Sequence, residues 1–167
     1  YDVLVDSKGR VWYATDGKGV SMLQNARFTH FNQSNGLKSN IIYSMVEDGK
    51  GNIWFSSAND GLYKYSNGRF TNYTLSSGLS EMQITGLLAD KNHLVIVHNN
   101  GVDIMDVSTG NFFYYGAAAG FADIKPDLNA CGLSKEGVAW IGTQNGLIRI
   151  EMPTEINSRQ PQVQVNK

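Results

Sequence analysis

Three histidines, fifteen Asp and Glu residues and one cysteine are the groups in this sequence that could carry out chemistry. His93 and His98 stand on one apparent strand at an odd separation, which points them to opposite faces, and His30 belongs to a different segment. No Cys/His grouping has zinc spacing, so the sequence predicts neither a metal nor a cofactor. Asp48-Gly-Lys-Gly-Asn52 opens like a calcium loop but lacks the alternating acids and the distal Glu. It reads as an Asp-initiated turn, and Asp16-Gly-Lys-Gly19 reads as a hairpin turn. Cys131 falls on an apolar inner strand without a histidine partner, which makes it an unreactive buried thiol. A G-x-S-x-G elbow is absent, and Gly36-Leu-Lys-Ser39 lacks full phosphate-loop spacing. Glycoside cleavage needs two carboxylates across a sugar; on the strands expected to face a central axis, Asp2 and Glu47 are the obvious acids. Asn32-Gln-Ser34 and Asn72-Tyr-Thr74 match glycosylation acceptors by pattern alone. No reaction centre emerges.

The scaffold that holds these groups is bounded by composition. The chain has 167 residues, 41% hydrophobic and 17% charged, with a net charge of -1. That suits one ordinary globular domain and argues against a nucleic-acid partner, which requires clustered Lys and Arg. The longest apolar run, Leu94 to Val97, is far short of the roughly 20 residues of a membrane helix. A single cysteine allows no internal disulfide. Starting at Tyr1 without a signal segment, the chain reads as a piece of a longer protein.

Internal repetition dominates the sequence. Asp6-Ser-Lys-Gly9-Arg-Val-Trp12 matches Asp48-Gly-Lys-Gly51-Asn-Ile-Trp54 at an offset of 42. The same offset carries Gly19 onto Gly61, Phe28 onto Phe70, Phe31 onto Tyr73 and Gly36-Leu37 onto Gly78-Leu79. A degenerate third copy keeps Asp90, Gly101, Tyr115 and Gly120-Phe121 but has Val95 in place of tryptophan. A fourth runs from Gly137-Val-Ala-Trp140 to Gly146. Each unit reads as four short strands. In the second copy these are Ile41 to Glu47, Ile53 to Ser57, Leu62 to Tyr65 and Arg69 to Thr74, with Gly51 placed for a positive φ and Asn67-Gly68 as a two-residue hairpin. Ala117 to Phe121 could form one short helical turn.

Four antiparallel strands repeated at this period describe propeller blades, whose faces are buried only by stacking. The expected fold is all-β: a partial β-propeller of about four four-stranded antiparallel blades, over units of about 1–40, 41–81, 82–123 and 124–151. Trp12, Trp54 and Trp140 are expected to wedge between adjacent blades, with Gly9, Gly51, Gly61 and Gly146 as turn glycines of the repeat. The first unit lacks its lead-in. The last shows three strands ending at Glu151, and Val163 and Val165 suggest the opening strand of a different domain. The chain therefore reads as a slice of a larger ring.

Several propeller signatures are missing: the Trp-Asp of WD40 blades, the Gly-Gly of kelch blades, and the sialidase Asp box, whose glycine sits one residue nearer its Asp. The motifs present are D-x-x-G-x-[VI]-W, a glycine turn, F-x-x-[FY] and a Gly-Leu loop. They run through Asp48-Gly-Lys-Gly-Asn-Ile-Trp-Phe-Ser-Ser57, Asp60-Gly-Leu62, Phe70-Thr-Asn-Tyr73 and Gly78-Leu79, and again through Trp140-Ile-Gly-Thr143 and Asn145-Gly-Leu147. Over residues 1–151 the chain resembles the two-component regulator propeller repeat family. In that family the repeats form the extracytoplasmic sensor of bacterial hybrid two-component proteins. Propellers of about seven blades are followed there by an immunoglobulin-like Y_Y_Y domain, a membrane helix and a cytoplasmic histidine kinase.

The resemblance implies a non-catalytic, periplasmic sensor segment of an inner-membrane protein, with an oligosaccharide ligand and the rest of the parent kinase as partners. It also implies that residues 152–167 are a linker leading into the sandwich domain, through Gln160-Pro-Gln-Val-Gln-Val165. A propeller-type polysaccharide lyase or glycoside hydrolase, or a purely structural scaffold, are the alternatives. Strand direction places the blade-to-blade loops on one face, rich in Asn, Gln and Ser. The longest of them, 116–128, carries Phe121, Asp123, Lys125 and Asp127, the candidate ligand-binding residues. Uncovered blade faces predict a homodimer or higher oligomer.

Overall fold

The computed structural model describes residues 1–121, 123–152 and 163–166, the last four in backbone only. Alternating apolar residues separated by glycine turns produce four sheets, each four-stranded and antiparallel. Blade 1 contains β1 (Asp2–Val5), β2 (Val11–Ala14), β3 (Val20–Gln24) and β4 (Arg27–Phe31). Blade 2 contains β5 (Ile42–Glu47), β6 (Ile53–Ser57), β7 (Leu62–Ser66) and β8 (Arg69–Tyr73). Blade 3 contains β9 (Gly86–Ala89), β10 (His93–His98), β11 (Gly101–Asp106) and β12 (Phe112–Tyr115). Blade 4 contains β13 (Pro126–Leu133), β14 (Val138–Thr143), β15 (Gly146–Glu151) and β16 (Val163–Asn166). Single 3₁₀ turns at Leu75–Ser77 and Ala117–Ala119 are the helical elements among the described residues.

Burial follows from stacking. The second strand of blade 2, β6, is buried along its whole length because a sheet covers each of its faces. Outer strand β4 is almost entirely exposed. Three apolar cores lie between successive blades. Trp12, Ala14 and Val20 meet Ile53, Phe55 and Tyr65 between blades 1 and 2. Trp54 and Leu62 meet Leu94, Ile96 and Met105 between blades 2 and 3. Val95, Val97 and Ile104 meet Ala139, Ile141 and Ile148 between blades 3 and 4. No such core joins blade 4 to blade 1 among the described residues, so the sheets form an arc.

The D-x-x-G-x-[VI]-W motif closes on itself through its carboxylate. Asp48 Oδ1 accepts the backbone N–H of Lys50 and of Asn52, each at 2.9 Å, and Oδ2 accepts the Trp54 indole N–H at 2.8 Å. Asp6 repeats this with Lys8, Arg10 and Trp12, whose indole N–H lies 2.7 Å from Oδ2. The glycine three residues on from each Asp donates back to its carbonyl at 2.9 Å and sits at a φ of 73° or 76°, the left-handed region expected for Gly9 and Gly51. Burial alone would raise both carboxyl pKa values. The indole and backbone donors outweigh it, joined at Asp48 by the Asn52 amide and at Asp6 by the Arg10 guanidinium, and both lie below the usual carboxylate range.

The third and fourth copies depart from this pattern. Asp90 caps the backbone N–H groups of Asn92 and His93, and its other oxygen lies 3.1 Å from His93 Nδ1. In blade 4 the acid is replaced by Ser134, whose hydroxyl accepts only the Val138 N–H, at 3.2 Å. Gly61, at a φ of 72°, is fixed by space as well, since a Cβ there would stand 2.5 Å from the Tyr73 carbonyl oxygen. Gly146 opens β15 opposite Thr143.

Blade ends differ from the sequence-based expectation. Val163 and Val165 pair with Ile150 and Ile148, so this segment supplies the fourth strand of blade 4 rather than opening another domain. Pairing satisfies the free edge of β15, which would otherwise expose a row of backbone donors and acceptors. The expected linker over 153–162 lies outside the described residues. Blade 1 has all four strands, with β1 two residues shorter than β5.

Candidate functional site

The face that gathers the blade-to-blade connectors holds the candidate ligand residues. All three connectors are built alike. The N–H groups of Leu37, Leu79 and Phe121 donate to the carbonyls of Asn32, Thr74 and Gly116 at 3.1, 3.2 and 3.2 Å. Each of those three side chains is buried and fastens its loop onto the blades below. Phe121 is thus 0% exposed, an anchor in the core between blades 3 and 4, and offers nothing to a ligand. Its alignment with Leu79 in the repeat is the sequence signal for that role.

The polar groups of the first connector are consumed internally. Asn32 Oδ1 accepts Ser34 N–H and hydroxyl, Gln33 N–H donates to Asn40 Oδ1, and Asn35 Nδ2 donates to the His30 carbonyl. Lys38 N–H reaches across to the Tyr63 hydroxyl at 2.9 Å. Asn and Gln here build the turn, as turn chemistry favours.

The second connector is pinned by a buried polar cluster. Ser80 donates its N–H and hydroxyl to the two oxygens of Asp103, at 2.9 and 2.7 Å. His98 Nε2 lies 2.8 Å from Asp103 Oδ2, and its Nδ1 lies 3.1 Å from the Gln83 carbonyl. Both side chains are fully buried. Sequence reasoning missed this cluster, because its members come from a loop and two strands and no spacing rule joins them. Ser80 bonds the carboxylate and has no histidine contact, so the cluster positions a loop and activates no nucleophile.

The third connector presents its charges outward. Asp123 and Lys125 form an exposed ion pair at 3.3 Å, and Asp127 is exposed beside them. Asp123 and Lys125 hold left-handed backbone, with φ of 49° and 44°, which aims both side chains away from the regular strand direction. Of the four residues singled out in this loop, three therefore share the surface.

Asp2 and Glu47, the two acids singled out on the axis-facing strands, serve as stitches. Asp2 Oδ2 accepts the Met45 N–H at 2.7 Å, and Glu47 accepts the Ser7 N–H and hydroxyl at 2.7 and 2.6 Å. They join blade 1 to blade 2 at opposite ends of the inner strands, which is no arrangement for a carboxylate pair across one sugar. Burial, with Asp2 nearby, pushes the Cys131 thiol up to about 11, so it is not a thiolate at neutral pH. His93 and His98 occupy opposite faces of β10, and no group of three metal-capable side chains exists among the described residues.

Trp12 and Trp54 are fully buried between blades, where Trp12 meets Tyr65 at 5.0 Å and Phe55 at 5.6 Å between ring centres. Trp140 does not wedge between two blades. It lies half-buried on the outward face of blade 4, with the Arg149 guanidinium 6.0 Å from its ring.

Comparison with known proteins agrees with this architecture. No curated protein sequence matches the chain. Among solved structures, the extracellular domain of a one component system protein from B. thetaiotaomicron is similar at a TM-score of 0.75 and 23% identity, over 99% of this chain and 24% of that one. The extracellular domain of a hybrid two component system protein from the same organism is similar at 0.74 and 23% identity, over 94% and 25%. A catalytically inactive virginiamycin B lyase from Staphylococcus aureus is similar at 0.66 and 16% identity, over 92% and 55%. The chain spans about a quarter of the length of the first two. The family described as two component regulator propeller matches residues 36–59, which run from the first connector through the Asp48–Trp54 motif to the turn after β6. Residues 36–59 are thus similar to a two component regulator propeller repeat, and they lie within four stacked four-stranded blades.

Proposed function

We propose that the chain is a non-catalytic, extracytoplasmic recognition segment of a hybrid two-component regulator, that its ligand is an oligosaccharide, and that the parent protein relays binding to a cytoplasmic histidine kinase. The observation that carries this reading is the repeat match over residues 36–59 within a fold shared with extracellular domains of such systems. Two features of the molecule support it. Asp2, Glu47 and Asp103 are engaged in holding blades and connectors together, which suits a rigid body that moves as a unit when a ligand binds. The third connector turns two carboxylates and an ammonium group to solvent, groups suited to sugar hydroxyls.

Titration of the chain with neutral oligosaccharides from a polysaccharide digest, read by calorimetry, tests the proposal. Binding weakened about tenfold, or 1.4 kcal/mol, by the double change Asp123→Ala and Asp127→Ala is expected, with no sugar consumed. Turnover of the sugars, or equal binding by the double variant, contradicts it.

A further inference from the structure

The junction of blades 1 and 2 holds a hollow on the face opposite the connectors, where the Asp-initiated turns and the outer hairpin turns meet. We infer that this hollow is an anion site, which takes a sulfate or phosphate group on the Arg10 guanidinium with Lys8 as the second cation.

Three turns enclose it. Lys8 and Arg10 come from the turn between β1 and β2, Lys50 and Asn52 from the matching turn between β5 and β6, and Asn67 from the hairpin between β7 and β8. Both walls belong to blades that pack on a shared core within the chain. The cavity measures about 160 Å³. That is below the roughly 300–1,000 Å³ of pockets that enclose a whole ligand, so it suits one small charged group.

Arg10 is the reason to expect an anion there. It is 9% exposed, yet only one of its side-chain nitrogens is paired. Nε donates to Asp6, while neither Nη has an acceptor among the described residues. The N–H groups of a nearly buried cation are thus left over, and a buried donor without a partner is costly. The guanidinium is also held in place. Its carbon lies 5.0 Å from the Trp12 ring centre and 5.8 Å from the Tyr65 ring centre. Rings on that scale fix the fork by cation–π contact and lower the local dielectric, which strengthens a charge pair made beside them. Two unbonded Nη ends match two oxygens of one sulfate or phosphate.

The repeat shows that the turn itself does not need this charge. At an offset of 42, Arg10 becomes Asn52, whose amide spends its N–H groups on the two Asp48 oxygens. Asp6 would be served equally by such an amide, since the Trp12 indole and two backbone N–H groups already reach it. Other charges nearby are engaged elsewhere. Lys50 donates its ammonium to the Val107 carbonyl of blade 3 at 2.9 Å, and Glu47 accepts the N–H and hydroxyl of Ser7. Lys8 lines the hollow, is exposed, and has no ion pair among the described residues, which leaves its charge for an incoming anion.

The test is an NMR titration of the full 167-residue chain, followed through the Trp12 indole N–H and Arg10 Nε–H signals. The probes are inorganic sulfate, inorganic phosphate, a glucose sulfate ester and unmodified glucose, with chloride holding the ionic strength constant. Saturable shifts are expected with the anions and none with glucose. Arg10→Asn, which installs the residue of the second copy, is expected to weaken binding about tenfold, read at Trp12. Lys8→Ala is expected to weaken it about threefold. Lys135→Ala, which removes an exposed cation from the turn between β13 and β14, is expected to leave it unchanged. A cooperative melt establishes that Arg10→Asn is folded, and Arg10→Gln is the second variant. Tighter binding of the sugar ester than of inorganic sulfate assigns the anion to a saccharide carrier, and binding no tighter assigns it to the free ion; both support the site. Lack of saturation with every anion, undiminished binding by folded Arg10→Asn, or an equal loss in Lys135→Ala overturns the inference.

Discussion

Blades 2 and 4 place a tryptophan on the same strand at the same point of the same repeat, yet the two indoles live in different surroundings. Trp54 is sealed between sheets and donates to Asp48, a carboxylate that also gathers the backbone of its turn. Trp140 stands half-buried at the end of the arc, and the residue that should accept its N–H is Ser134, which is occupied with Val138. The difference shows what the motif does. Its Asp, Gly and Trp are one device: the turn glycine lets the chain double back, the carboxylate collects the turn's donors, and the indole ties that turn to the interface. A buried polar group in this position is tolerable only because every donor finds its acceptor.

Removing the ring gives the largest separation between the two blades. Trp54→Ala is expected to cost about 3–5 kcal/mol of unfolding free energy, and Trp140→Ala less than about 1 kcal/mol. Urea melts of the two variants measure this directly.

Removing the acceptor comes next. Asp48→Ala strands the indole N–H and two backbone donors and is expected to cost about 3 kcal/mol, against about 0.5–1 kcal/mol for Ser134→Ala. The same carboxylates set the acid limb of stability. Because Asp6 and Asp48 ionise more readily in the fold than the ordinary value near 3.8, their contribution is complete above that value and is lost as pH falls through the lower folded values. Asp48→Asn should flatten the decline of stability over that acid range, as read by melting temperature against pH.

A smaller contrast separates two glycines. Gly61→Ala places a Cβ against the Tyr73 carbonyl and is expected to cost about 2 kcal/mol or more, whereas Gly9→Ala meets open space and bears only the left-handed penalty of about 1 kcal/mol. Thermal melts of the pair decide it.

The smallest effect is a gain. Ser134→Asp should give Trp140 its missing acceptor and add about 0.5 kcal/mol, visible as slowed exchange of its indole proton. No gain would mean that the device needs the covering blade before the carboxylate can act.

Much of the fold was legible because the repeat is dense in landmarks. β6 was readable to the residue, since the Asp48–Gly51 turn before it and the Asn59–Gly61 turn after it bound it on both sides. β16 was misread, because a prolonged segment with two prolines separates it from β15, and sequence separation hides a pairing that hairpin turns make plain elsewhere. At the candidate site, the pattern Asp123, Lys125, Asp127 was legible as a surface cluster. The buried role of Phe121 was available from its register with Leu37 and Leu79 but was masked by its place in an irregular loop. The Asp103, His98 and Ser80 cluster was not legible, since strand parity says which face a residue takes and nothing about which loop arrives there.

Hydrogen exchange of the three indole N–H groups, followed by NMR, tests most directly that blade stacking and the Asp–Trp device hold this molecule together. Trp12 and Trp54 are expected to exchange only with global unfolding, and Trp140 at a rate close to that of a free indole. Equal protection of all three, or rapid exchange at Trp54, would contradict the account.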